Sequence, residues 1–169
     1  MADYSQREQL QPSLLDRLVD DEPGEKNESR KKRVLSIAQI RECVRRDLAS
    51  LLNATHLEGL QDLSLYPEVS RSVLNYGIPD LAGRTLSDID PPEIEQALRQ
   101  AILDFEPRLL RDTVRVTMVA SDDGSRHNAM QFVIEADVWA QPLPLQLFLK
   151  TQIDLEDGNV RIVDAGRQV

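Results

Sequence analysis

Two observations predict an α+β protein: three helices packed on a small, mainly antiparallel β-sheet meander. Apolar residues recur every three or four positions in the first two thirds of the chain and every second position in the last third. The switch happens once, across residues 101–109. Upstream, Ile94, Leu98, Ala101, Ile102 and Phe105 make one helical face; downstream, Val114, Val116 and Met118 alternate with Arg115 and Thr117. Pro107 divides the two patterns, because it has no N–H and forces Glu106 out of the helical region.

Taken in order, residues 1–33 are polar and charged and read as a flexible tail. Within it, residues 13–20 predict a short helix, capped by Ser13, with Leu14, Leu15 and Leu18 on one side. Two turns are marginal alone, so this island is expected to fold by docking. Glu22–Asn27 reads as a linker, and residues 34–169 as one α+β domain. Ser36 and Gln39 form a capping box for a helix over 36–53, with Ile37, Ile40, Val44, Leu48 and Leu51 on its apolar stripe. Residues 54–66 predict a loop on which Leu57, Leu60, Leu63 and Leu65 pack. Pro67 opens a second helix expected to reach Asn75, with Val69, Val73 and Leu74 inward. Gly77 and Pro79 stop it. Asp90, Pro91 and Glu93 start the third helix, which ends at Phe105.

Strands are predicted over 110–120, 129–139 and 145–155, with a short last one over 160–163. Asp122-Asp123-Gly124-Ser125 and Asp157-Gly158-Asn159 read as turns between them.

Composition narrows the function. A net charge of −9 repels phosphate backbones, which argues against nucleic-acid binding. No run approaches a membrane span, and the acidic N-terminus does not read as a signal peptide, so a cytoplasmic protein is expected. Cys43 is the single cysteine and reads as a small apolar side chain. His56 and His127 stand apart from any metal-ligand spacing, and neither a phosphate loop nor a hydrolase motif is present. The residues ask for no cofactor, metal or catalytic group.

Two features ask for a role. Glu106-Pro107-Arg108 is either a helix stop with exposed charges or a stiff corner that aims charge-assisted hydrogen bonds at a partner. The strand over 145–155, with Leu147, Leu149, Thr151 and Ile153 on one face, is either central or a sheet edge to which another protein's strand can pair.

The chain resembles the TssE family, small baseplate subunits of the bacterial type VI secretion system, and is similar to the sheath-nucleating wedge proteins of contractile phage baseplates. The residues that carry this are Leu14-Leu15-Asp16-Arg17-Leu18, Ser36-Ile37, the run from Ser72 to Leu81, Phe105-Glu106-Pro107-Arg108-Leu109 and Ile153–Gly158. The leucine-rich tail motif favours the secretion branch over the phage branch. The resemblance implies an assembly role without catalysis. It implies wedge partners TssF, TssG and TssK, a TssB–TssC sheath templated by strand pairing, and a VgrG spike nearby. It also implies that Glu106 and Arg108 anchor the protein in the wedge. The island with Leu14, Leu15 and Leu18 can dock on its own domain or on a partner, and another subunit is the expected one. A phage-tail wedge protein is the near alternative; a small acidic hydrolase or ligand-binding domain is the alternative from another class.

Overall fold

The computed structural model describes residues 37–119, 129–139 and 144–164. The tail with Leu14, Leu15 and Leu18, the Ser36 cap and the turn at 122–125 lie outside them. The described elements are helices α1 (Ile37–Leu52), α2 (Pro67–Ser70) and α3 (Pro91–Phe105), then strands β1 (Arg115–Val119), β2 (Ala129–Val138), β3 (Leu145–Asp154) and β4 (Val160–Asp164), with short 3-10 turns between them. The strands form one antiparallel sheet in the order β1-β2-β3-β4. The α+β expectation holds, and helices cover one sheet face.

The core is built by the two periodicities. Ile40, Val44, Leu48, Leu51 and Leu52 of α1, and Ile94, Leu98, Ala101 and Ile102 of α3, are buried. They meet Val116, Phe132, Ile134, Leu149 and Ile153 from alternate strand positions. Each such large side chain removed from water contributes about 1.5–3 kcal/mol. On the other sheet face Thr117, Glu135 and Lys150 are exposed.

α3 starts at Pro91 and ends at Phe105 as its residues dictate, although Asp90 makes no side-chain cap bond. Glu106, before the proline, leaves the helical region at φ −119° and ψ 82°.

The second helix is shorter than its pattern. α2 ends at Ser70, and the Ser72 hydroxyl then takes the Leu74 N–H at the head of a separate 3-10 turn, Val73–Asn75. Val73 and Leu74 are therefore exposed, not inward, and the buried residue is Asn75. Of the four loop leucines expected to pack, Leu63 is buried and Leu57 half-buried, but Leu60 and Leu65 point to water. This excursion is pinched at its neck. The His56 N–H donates to the Ile78 carbonyl at 3.0 Å, and the Ile78 N–H to the Ala54 carbonyl at 2.8 Å. Gly77 permits the approach: its φ is +133°, and a Cβ there would lie 2.4 Å from the Ala54 oxygen.

Of the two readings of the strand over 145–155 the central one holds, so its use as a pairing edge is corrected. β3 pairs with β2 along its whole length and with β4 from Leu149 to Ile153. Leu147, Leu149, Thr151 and Ile153 are all buried in the core. A strand's apolar alternation reports that one face is covered; it carries no information about its lateral neighbours.

Candidate functional site

The corner after α3 is held from three sides. Glu106 is buried, with 4% of its side chain exposed. Both of its carboxylate oxygens are taken by Arg108: Nε donates to Oε1 at 2.7 Å and Nη2 to Oε2, while the Arg108 backbone N–H reaches Oε1 at 3.1 Å. The same Nη2 donates to Asp47 Oδ2 on α1 at 2.6 Å. Asp47 is held in turn by Arg46, whose Nη2 donates to Oδ1 at 2.8 Å. One guanidinium thus ties the turn after α3 to α1, two elements that meet in the core. Behind it the backbone is stitched to β2: the Trp139 N–H donates to the Arg108 carbonyl, and the Leu110 N–H to the Asp137 carbonyl, each at 2.8 Å.

The electrostatics follow from this packing. Burial works against the Arg108 charge, but hydrogen bonds and Coulomb attraction from Glu106, and then Asp47, raise its pKa above the ordinary arginine value. Tyr76 sits at the same junction, its ring edge-on to Phe105 at 5.2 Å. Burial, then Asp47 and Glu106, push its phenol pKa up.

The expectation that both charges of the corner face a partner is thus corrected for Glu106, whose oxygens are spent inside the chain. Arg108 keeps 27% of its side chain exposed, and Pro107 is exposed. Sequence reasoning missed Asp47, which lies 61 residues from Arg108 and gives no local signal.

The sheet edges are the second part of the site. The Met118 N–H donates to Glu95 Oε1 at 2.6 Å, so ladder alternation turns the N–H and C=O groups of Val114, Val116 and Met118 away from β2. Glu95 and Arg99 of α3 occupy two of those positions, Arg99 Nε reaching the Val114 carbonyl at 3.0 Å. At the other edge the Asn53 side-chain amide offers Val160 what a neighbouring strand would. Its Oδ1 accepts the Val160 N–H and its Nδ2 donates to the Val160 carbonyl, both at 2.9 Å. By the same alternation Ile162 and Asp164 also turn outward from β3. Beyond the paired stretch of β3, Arg41 Nη2 donates to the Gln146 carbonyl at 3.1 Å. Both rims of the sheet carry side-chain guards, which is how natural sheets restrain unwanted pairing.

The family described as baseplate wedge protein gp25 matches residues 38–143, a span that contains α1, the pinched excursion, α3, the corner and the first two strands. The chain belongs to the gp25 family of baseplate wedge proteins. A crystal structure of a candidate tail lysozyme from Geobacter sulfurreducens is similar at 18% identity, with a TM-score of 0.43, over 80% of this chain and 98% of that one. No curated protein matches the sequence.

An open concavity of about 660 Å³ beside β1, β2 and β3 is lined by Arg41, Asp112, Arg115, Glu135, Asp137 and Gln146 among others. Asp112 and Glu135 are exposed there. Among the described residues no group of three His, Cys, Asp or Glu side chains could hold a metal ion, and no helix is long and apolar enough to cross a membrane.

Proposed function

We propose that this gp25-family protein is the TssE-type wedge subunit of a bacterial type VI secretion baseplate, where it is anchored by its ionic corner and starts the contractile sheath by strand pairing. The observation that carries the reading is the corner itself. A buried carboxylate, a proline and an arginine locked onto a second helix make a rigid element at the surface, with Arg108 and Pro107 as its outward part. TssF, TssG and TssK are the wedge neighbours proposed to meet it, near the VgrG spike, and Leu14, Leu15 and Leu18 supply a second attachment. For the TssB–TssC sheath, the β4 rim is the proposed docking edge, since β3 is interior and two of β1's outward positions are held by α3.

Proline at an outward position tests this without removing a ladder bond, because the Ile162 N–H points away from β3. In cells making the other baseplate and sheath subunits, Ile162→Pro protein should fold and join the wedge while sheath assembly, seen by fluorescence microscopy, stops. Val116→Pro on the opposite rim should leave sheaths intact. Sheaths of normal number and length with Ile162→Pro would overturn the edge assignment. A phage-tail baseplate role is the second reading, favoured by the family match itself, and the genes beside this one distinguish the two. A hydrolase reading gains no support from Glu106, because Arg108 occupies both of its oxygens. Release of peptidoglycan fragments by the purified protein, lost in Glu106→Gln, would revive it.

A further inference from the structure

Of the eight large apolar side chains exposed among the described residues, six lie between α1 and α3: Leu60, Leu65, Tyr66, Val73, Leu74 and Leu86. Scattered exposed leucines need no explanation; this concentration does. Leu60 and Val73 are 84% and 81% exposed. The segment that carries the first five is not loose chain. Buried Asn75 staples it, its Oδ1 accepting the Glu58 N–H and its Nδ2 donating to the Ser70 carbonyl, both at 2.9 Å. The bridge between Thr55 and Ile78 closes the neck, and Gly77 fits only as glycine. A surface fixed in advance loses little entropy on binding, which suits it to recognition. Charge identifies what it fits. Within residues 57–76 stand three acids, Glu58, Asp62 and Glu68, against one base, Arg71, and all four are exposed. The stretch carries no ladder-forming strand, so a partner must be read through side chains rather than by added β-pairing.

We infer that residues 57–76 form a second protein-docking surface, separate from the ionic corner, that takes an amphipathic helix with an apolar face and a lysine- or arginine-rich rim from a partner subunit. The choice of a protein partner rests on the assembly role proposed above; the surface itself does not.

The probe is a synthetic leucine–lysine amphipathic helix, compared with a leucine–glutamate helix that has the same apolar face. Each is titrated into the full-length protein while hydrogen exchange is followed along the chain. The leucine–lysine helix should protect amides of 57–76, and the leucine–glutamate helix should not. The double variant Val73→Ser and Leu74→Ser leaves the charge unchanged and touches two exposed side chains, so it should melt normally while binding the probe about tenfold more weakly. Trp139→Ala, an exposed aromatic elsewhere, should bind as the parent does. Equal binding of both helices, protection outside 57–76, or unchanged binding by the double variant would overturn the inference. So would a dimer that the double variant dissolves, which would make a second copy the occupant. Loss of protection at 57–76 on deleting residues 1–33 would likewise overturn it, naming the chain's own tail. Arg108→Ala should still bind the probe, so failure of this surface is read separately from failure of the wedge reading.

Discussion

Replacing Arg108 by alanine tests the corner twice, once for stability and once for attachment. The substitution strips Glu106 of two side-chain donors and Asp47 of one. Glu106 has 4% of its side chain in contact with water, so water cannot fully replace what is lost. Breaking a buried pair costs about 3–5 kcal/mol, but Arg108 is 27% and Asp47 28% exposed, which screens part of it. A loss of about 2–3 kcal/mol is expected, or a melting temperature lower by roughly 6–12 °C. Urea unfolding followed by circular dichroism measures it. The informative companion is Glu106→Leu with Arg108→Leu, which removes both charges and refills the volume. Replacing a buried pair by apolar side chains is often neutral, so this variant should regain most of the stability, and Asp47, already partly wet, keeps Arg46 as its partner. If the corner is a contact surface, the stable double variant still fails to co-purify with the other wedge subunits. Attachment restored along with stability would show that the corner only braces the fold. A stability loss under about 1 kcal/mol in Arg108→Ala would refute the energetic argument itself.

Three further outcomes follow from the same geometry. The Tyr76 phenol, raised by burial and then by Asp47 and Glu106, should ionise above its ordinary value of 10.0. Stability from this group is full below the unfolded value and is lost as pH rises through the folded one, so Tyr76→Phe should remove part of the alkaline destabilisation in pH-dependent melts; identical alkaline limbs would contradict this. Asn53→Ala should cost about 1–2 kcal/mol and speed hydrogen exchange at the Val160 amide, because it deletes both side-chain bonds to β4; unchanged exchange there would show that the amide is not a guard. Gly77→Ala should cost about 3 kcal/mol or more, since the left-handed backbone is strained and the added carbon meets the Ala54 carbonyl; a melt within experimental error of the parent's would disprove the tight neck.

The elements that local chemistry dictates were legible. Pro91 and Pro107 bracket α3, and strand alternation places Phe132, Ile134 and Leu149 inward without error. The stiff acid–base corner was visible as three adjacent residues. The meander order was legible as well; what was not were contacts between pieces far apart in sequence and which strand lies inside the sheet. β3 sits inside the sheet, and no property of Leu147 or Ile153 announces β4 alongside. Asp47 completes the corner from another helix. Asn53, Glu95 and Arg99 look like ordinary helix residues until the strands they face are placed. The apolar spacing of Val69, Val73 and Leu74 fits a helix, but Ser72 competes for the backbone and diverts it.

The side chains of Asn53, Glu95 and Arg99 have a consequence for timing. If the chain starts the sheath as proposed, it must stay inert while it is alone, or it would seed fibres of itself. On the β4 rim proposed above, an arriving segment must first evict the Asn53 amide from Val160, while Glu95 and Arg99 keep the β1 rim closed. That toll is small for a segment delivered at high local concentration by a neighbouring ring and prohibitive for a stray one. In that proposed role, the switch that decides when elongation begins lies in polar side chains beside the sheet rather than in the strands being extended.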